Sequence, residues 1–313
     1  MNNIKLMNLL NFFTKLYSKE RNISGLPFWV MTPVRKMTRF AANKVLPHYL
    51  SKDVICKPKG NFDVIVSFTS FPARINNVWQ VVECMMRQSL KPSKILLWLS
   101  KEQFPTADSI PQSLRDREGD TFEIRMVGGD VRSHKKYLYA VTEYPNDYIF
   151  LIDDDIYYPT DLLERTLKAH LDNPQSVICN YGVRVRWDEN GKLMPYRKWP
   201  RLYRRTDKDV FFGSGGGTLI HSSLLYDDVT KIDIAQDLTP IADDIWLNAM
   251  VNLAGTERIL LDNGQILPIC IENDEKLATQ NRERDLNDEQ LQNIVNYYLV
   301  HKGIHPFEKN HNF

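Results

Sequence analysis

Long hydrophobic runs are missing from this 313-residue chain, and so are paired cysteines, a Gly-Lys-Ser/Thr phosphate turn and a strong net charge. Each absence removes a class of protein. The apolar stretch over residues 4–17 is interrupted by Asn8, Asn11 and Lys15 and has no small-residue cleavage site, so it suits neither a spanning helix nor a signal peptide. Cys56, Cys84, Cys179 and Cys270 stand at no metal-ligand or redox spacing; they read as four buried thiols of a reducing compartment, with no zinc site. The glycine-rich stretch FFGSGGGT, residues 211–218, does not end in Gly-Lys-Ser/Thr and is therefore not a P-loop; its glycines read as backbone that passes close to a ligand or adopts positive φ. A net charge of +1 leaves one short basic and aromatic segment, PYRKWPRLYRR at residues 195–205, as a weak footprint for nucleic acid, which we exclude as a partner. Its aromatic faces suit sugar rings and its guanidinium groups suit phosphate.

What is present is enough for a folded body, since 43% of the residues are apolar. The near-zero charge hides an asymmetry. Residues 1–50 carry eight Lys or Arg and one acid, Glu20, which gives +7 and leaves −6 for the remainder. Ile4, Leu6, Met7, Leu9, Leu10, Phe13, Leu16 and Tyr17 fall near one another on a helix, with Arg35, Lys36, Arg39 and Lys44 behind them. Two expectations stay open for that face: an anionic membrane surface, or packing on the body or a second subunit. We divide the chain into a basic helical extension, residues 1–58, and a body, residues 59–313.

In the body, residues 63–68, 94–99 and 121–127 read as strands, with a helix over 78–88 and another over 133–144 that carries Lys135 and Lys136 near its start. The alternation of strand and helix predicts an α/β fold with a mostly parallel sheet flanked by helices. The two lysines could meet phosphates or form an ordinary solvated face.

The chemistry concentrates at YIFLIDDDIYYP, residues 148–159. Four apolar residues, Ile149 to Ile152, form a buried-strand signature, and Asp153, Asp154 and Asp155 follow where that strand should end. In extended chain Asp153 and Asp155 would face one side and Asp154 the other. Carboxylates this close repel, so a buried strand ending in three of them needs a compensating cation or donor network, and a hard divalent ion is the simplest. They are not needed as helix caps, because Thr160 or Asp161 can cap the next helix with Glu164 three residues beyond. A calcium loop fails, since Tyr157 and Tyr158 occupy places that need a ligand and a glycine. A second acidic pair, Asp243 and Asp244, opens an apolar helix in PIADDIWLNAM. Residues 177–186 and 266–271 read as further strands, and Asp288 as the cap of a last helix.

Taken in order, VSFTSFPARI, SHKKY, LIDDDIYY, FFGSGGG and ADDIWLN resemble the GT-A class of nucleotide-sugar-dependent glycosyltransferases, particularly bacterial family-2-like enzymes of surface polysaccharide assembly, over about residues 60–280. The resemblance implies a Rossmann-like GT-A fold and transfer of a sugar from a nucleoside-diphosphate donor, UDP-sugar foremost, to a saccharide or lipid-linked acceptor. It implies Mn²⁺ or Mg²⁺ on Asp155, with Asp153 near the ribose or the ion and Asp154 in the same set. Thr69, Pro72 and Arg74 would line the nucleotide, Lys135 and Lys136 its phosphates, and Gly215 and Gly216 the sugar. Asp244 would be the general base of an inverting transfer, with Asp243 orienting it. The location implied is cytoplasmic, with peripheral contact on the inner face of the cell membrane. Two departures stand out: Ala-Asp-Asp replaces the more usual Glu-Asp, and a C-terminal histidine ligand has only His301 and His305 as candidates. The competing readings are a haloacid-dehalogenase-like phosphohydrolase, which usually opens its domain with the Asp motif, and a non-catalytic carbohydrate- or membrane-binding protein.

Overall fold

The fold is described by a computed structural model covering residues 8–18, 28–52, 61–261, 266–270 and 286–309. Expectations for residues 4–7, Cys56, the boundary near Lys59 and the end of the strand at 271 lie outside the described residues.

Seven strands form the central sheet: β1 (Asn61–Thr69), β2 (Lys91–Ser100), β3 (Phe122–Val127), β4 (Tyr148–Ile152), β6 (Ser176–Cys179), β9 (Gly216–Ile220) and β10 (Glu257–Leu260), in the spatial order β10-β6-β9-β4-β1-β2-β3. β1 pairs in parallel with β2 and β4, as do β2 with β3 and β6 with β10. Only β9 runs against its neighbours β4 and β6. The chain therefore has a mixed, mostly parallel, Rossmann-like sheet: the alternation of elements predicts its parallel part, and the antiparallel β9 makes it mixed. Two small pairs accompany it: β5 (Ile156–Tyr157) with β11 (Leu267–Pro268), and β7 (Gly182–Arg184) with β8 (Val210–Phe212).

Both faces of the sheet are covered, which is why its strands read as nearly continuous apolar runs rather than alternating ones. Successive side chains leave a strand on opposite faces. Val64, Val66 and Phe68 of β1 thus join one core with helices α1 (Asn8–Ser18), α2 (Phe28–Leu50), α3 (Val78–Met86) and α5 (Leu162–Asp172). Ile65 joins the other, with α4 (Lys135–Glu143), α6 (Asp243–Leu253) and α7 (Leu286–Lys302).

The N-terminal helices are part of the first layer. Leu10, Phe13, Ala42, Leu46 and Tyr49 are buried in the sheet's own core, each large side chain contributing on the order of 1.5–3 kcal/mol by leaving water. Polar ties fix the register: Asn11 Nδ2 donates to Thr160 Oγ1 at 2.9 Å and its Oδ1 accepts from Thr160 N–H at 2.8 Å. Buried Arg87 donates to the carbonyl of Leu50, an acceptor that the end of α2 leaves open, and to that of Lys52 just beyond the helix. Of the two expectations for the apolar face, packing on the body is the one realised for residues 8–18.

Several local expectations change. Asp161 makes no capping hydrogen bond, Thr160 is engaged with Asn11, and Glu164 accepts from Ser89 Oγ at 2.5 Å. Asp288 lies within α7 and accepts from Tyr196 N–H at 2.7 Å. The strand over 177–186 breaks at Asn180 into β6 and β7, and Cys270 is exposed while Cys84 and Cys179 are buried. No helix of the described residues is long and apolar enough to cross a membrane.

Candidate functional site

The crossover rule for open sheets locates the site. From β1 the chain moves outward through β2 to β3, then returns to β4 on the other side of β1, so the direction of winding reverses between β1 and β4. Ligands of such sheets gather in the crevice beyond the carboxyl ends of the strands at this point. Ser70 and Arg74 follow β1, and the three aspartates follow β4, at that place.

The aspartates are already partly neutralised by side chains. Arg74 Nη1 lies 2.9 Å from Asp154 Oδ1 and 3.0 Å from Asp155 Oδ2, and Ser70 Oγ donates to Asp154 Oδ2 at 2.5 Å. Burial raises the Asp154 carboxyl above its ordinary range, against the pull of Arg74 and Ser70. Asp153 turns to Lys136, whose Nζ is 2.8 Å from Asp153 Oδ1 and 3.0 Å from Asp243 Oδ2. β4 ends at Ile152, so the three acids lie beyond the strand, Asp154 and Asp155 in a turn. Asp154 still points inward, at 6% side-chain exposure, while Asp153 and Asp155 keep 41% and 21%.

Lys136 joins the two acidic motifs. Burial alone would lower its pKa, yet Asp153, Asp243 and Asp244 hold it well above the usual lysine value. On the far side, Ser214 N–H donates to Asp244 Oδ1 at 2.8 Å, and Ser214 Oγ lies 2.6 Å from Asp244 Oδ1 and 2.9 Å from Asp243 Oδ2. One hydroxyl proton serves only one acceptor at a time, so the pair is best satisfied with one proton added. Accordingly, burial and then the charge of Asp243 push Asp244 up to about 7, opposed by Lys136 and Ser214. Asp243 goes the other way: although burial acts to raise it, the Lys136 ammonium holds it below the carboxylate range.

Secondary structure holds these groups rigidly. Asn248 accepts from Phe212 N–H and donates to the carbonyls of Phe212 and Asp244, clamping the end of β8 to the first turn of α6. His134 is fully buried; its Nε2 faces the Thr239 carbonyl at 2.7 Å and so carries the proton, leaving Nδ1 to accept from Tyr137 Oη at 2.8 Å. Burial pushes this imidazole down and keeps it neutral. Tyr158 Oη accepts from Asp153 N–H and donates to the Gly215 carbonyl, tying the acidic turn to the glycine-rich loop.

That loop approaches protein groups closely. A Cβ on Gly215 would lie 1.7 Å from Asp153 Oδ2, and one on Gly216 would lie 2.2 Å from Tyr181 Cβ; only Gly217 of this run has positive φ, at +95°. Gly215 and Gly216, expected against the sugar, thus make room for Asp153 and Tyr181, and Gly216 opens a strand. Gly215→Ala should displace the Asp153 carboxylate and lower the melting temperature by several degrees, on the order of 1–3 kcal/mol of overpacking. Differential scanning calorimetry checks this, and an unchanged melting temperature would contradict the close approach.

Other expected residues fall outside the cluster. Lys135 is buried and ion-paired with Asp130. Lys136 reaches the cluster but is spent on carboxylates. Thr69 Oγ1 donates to the Trp98 carbonyl at 2.7 Å, and Pro72 is exposed on the turn before Arg74. In the basic segment, Trp199 is buried and Tyr196 packs on it and on Phe211 as core rather than as an open sugar platform. Arg201 lies 4.3 Å over the Tyr181 ring. His301 and His305 are held by local partners, the Tyr297 carbonyl and Phe307 N–H.

No protein-family model matches the chain, and no curated protein matches it. Among solved structures it is similar to TarS 1-349 of S. aureus in complex with UDP, at 10% identity and a TM-score of 0.44, over 78% of this chain and 72% of that one. It is also similar to HddC from Yersinia pseudotuberculosis, at 11% identity and a TM-score of 0.41, over 71% of this chain and 99% of that one. Likeness of this degree assigns neither a substrate nor a residue.

Sequence reasoning missed Ser70, His134, Tyr158 and Ser214. Each lies inside or beside a motif read for its charges or glycines, and a hydroxyl or imidazole inside such a motif was the available signal.

Proposed function

We propose that this protein is a metal-dependent glycosyltransferase that moves a sugar from a nucleoside-diphosphate donor, UDP-sugar foremost, to a saccharide or lipid-linked saccharide acceptor of cell-surface polysaccharide assembly. The observation that carries the reading is the meeting of two acidic motifs, Asp153–Asp155 and Asp243–Asp244, at the switch point of the sheet, bridged by Lys136, with Ser214 holding the second pair. One motif keeps exposed oxygens for a donor complex, and the other holds a carboxylate that titrates near neutrality.

The donor set fits a hard divalent ion in one particular way. Among the described residues no three His, Cys, Asp or Glu side chains group as an all-protein cage. Magnesium-type sites commonly use one or two carboxylates and complete the shell with substrate phosphates and water. Asp155, with Asp153 beside it, would hold such an ion. When bound, Mn²⁺ or Mg²⁺ would neutralise charge developing on the departing diphosphate. Arg74, already at this place, would take up phosphate charge as its hold on Asp155 loosens. Asp244 would accept the proton of the acceptor hydroxyl as that oxygen attacks the anomeric carbon, while Asp243 and Ser214 keep the carboxylate oriented.

The test is calorimetric titration of nucleoside diphosphate with and without Mn²⁺. Asp155→Ala should remove the metal-stimulated part of binding, lowering affinity by about tenfold, and should leave the fold intact because Arg74 keeps Asp154. Equal affinity of variant and wild type in the presence of Mn²⁺ would sink the metal assignment.

A further inference from the structure

We infer that the outward face of α2 docks on an anionic phospholipid bilayer. This is a different surface from the apolar face of residues 8–18, which is spent on the body. At 100° per residue, Met31, Thr38, Ala42, Leu46 and Tyr49 form the buried side of α2. Pro33, Lys36, Met37, Phe40, Lys44 and His48 are all exposed and share an opposite arc roughly 120° wide. Met37 is 71% exposed and Phe40 68%, which places two large apolar side chains on one stripe in open solvent. Isolated exposed apolar residues need no explanation, but a stripe of them rimmed by cations does.

The charge of this region selects the occupant. Lys36 and Lys44 flank the apolar pair, and Lys44 Nζ lies 6.0 Å from the Phe40 ring centroid. The two helices α1 and α2 contain Lys15, Arg35, Lys36, Arg39 and Lys44 and no Asp or Glu. Long cationic side chains beside aromatic and thioether tips match the interfacial helix, whose apolar side enters the headgroup boundary while lysines meet anionic lipid. A second helix layer or a sheet would need a broader apolar surface than two residues supply. The side of α2 facing the core holds the helix parallel to the body's surface, so it would lie on the bilayer and not enter it. The inference is independent of the transfer reaction.

Full-length protein should sediment with vesicles of phosphatidylglycerol and phosphatidylcholine at low salt, release at high salt, and stay in the supernatant with phosphatidylcholine alone. Met37→Ser with Phe40→Ser should lower the partition coefficient by about tenfold or more without moving the melting temperature, since both positions are exposed. Lys36→Glu with Lys44→Glu should do the same by charge, and serves as the independent variant if the first pair loses stability. Wild-type protein left in the supernatant, equal sedimentation with both vesicle types, or wild-type partition by both variants would overturn the inference. A dimer in light scattering that Phe40→Ser dissociates, with no vesicle binding, would assign the face to a second copy instead.

Discussion

Asp244→Asn should lower turnover by about 10²- to 10⁴-fold while affinity for nucleoside diphosphate and Mn²⁺ stays nearly unchanged. The substitution keeps an acceptor oxygen for Ser214 N–H and Oγ–H, which now bond Asp244 Oδ1 at 2.8 and 2.6 Å, so geometry is conserved and only the basic oxygen is lost. The carboxyl is pushed up to about 7 by burial and by Asp243. A base must be ionised to work, so wild-type turnover should fall as pH drops below about 7 and level off above it. The residual rate of Asp244→Asn should lack that limb. Radiolabelled-donor kinetics over a pH series provide both readouts. Near-normal turnover would exclude the role, and a product that keeps the donor's anomeric configuration would move Asp244 to acceptor binding.

Lys136→Met should destabilise the fold by about 3–5 kcal/mol at neutral pH, the usual cost of removing one partner of a buried ion pair. Lys136 and Asp243 have side-chain exposures of 5% and 8%, so water cannot replace the ammonium. Asp153, at 41%, is solvated and contributes little to the loss. The sign with pH follows from the Asp243 shift. Its folded carboxyl lies below the ordinary value near 4, so its stabilisation is present above that value and is lost as pH falls through the folded one. The difference between variant and wild type should therefore shrink in acid. Urea denaturation at two pH values measures it, and a neutral-pH loss below about 1 kcal/mol would mean that Asp243 is satisfied without Lys136.

Much of the sheet was legible because its strands are buried on both faces and stand out as apolar runs: Asp63 to Phe68 within β1, Lys94 to Leu99 within β2, Ile149 to Ile152 within β4. The short strands β9 and β10 were not. β9 begins in a glycine run whose composition signals a loop, and its place comes from pairing with β4 and β6, which are distant in sequence. The N-terminal helices were legible as amphipathic, but periodicity cannot say what an apolar face meets. Leu10 and Phe13 meet the sheet's core, and Met37 and Phe40 stay largely exposed.

For the site, sequence by itself determined that two acidic motifs exist, that one ends a buried strand and that the other opens a helix, because those facts depend on local pattern alone. Tertiary structure decided what neutralises them. Lys136 and Lys135 are adjacent and chemically identical, yet successive helix positions diverge by about 100°. One reaches Asp153 and Asp243, and the other Asp130. Ser214, thirty residues from Asp244, lies 2.6 Å from it where Asn248 ties the end of β8 to the first turn of α6. Charge compensation and the pKa it sets depend on distances of a few ångströms between residues far apart in the chain, and such distances exist only after the sheet has brought its strand ends together.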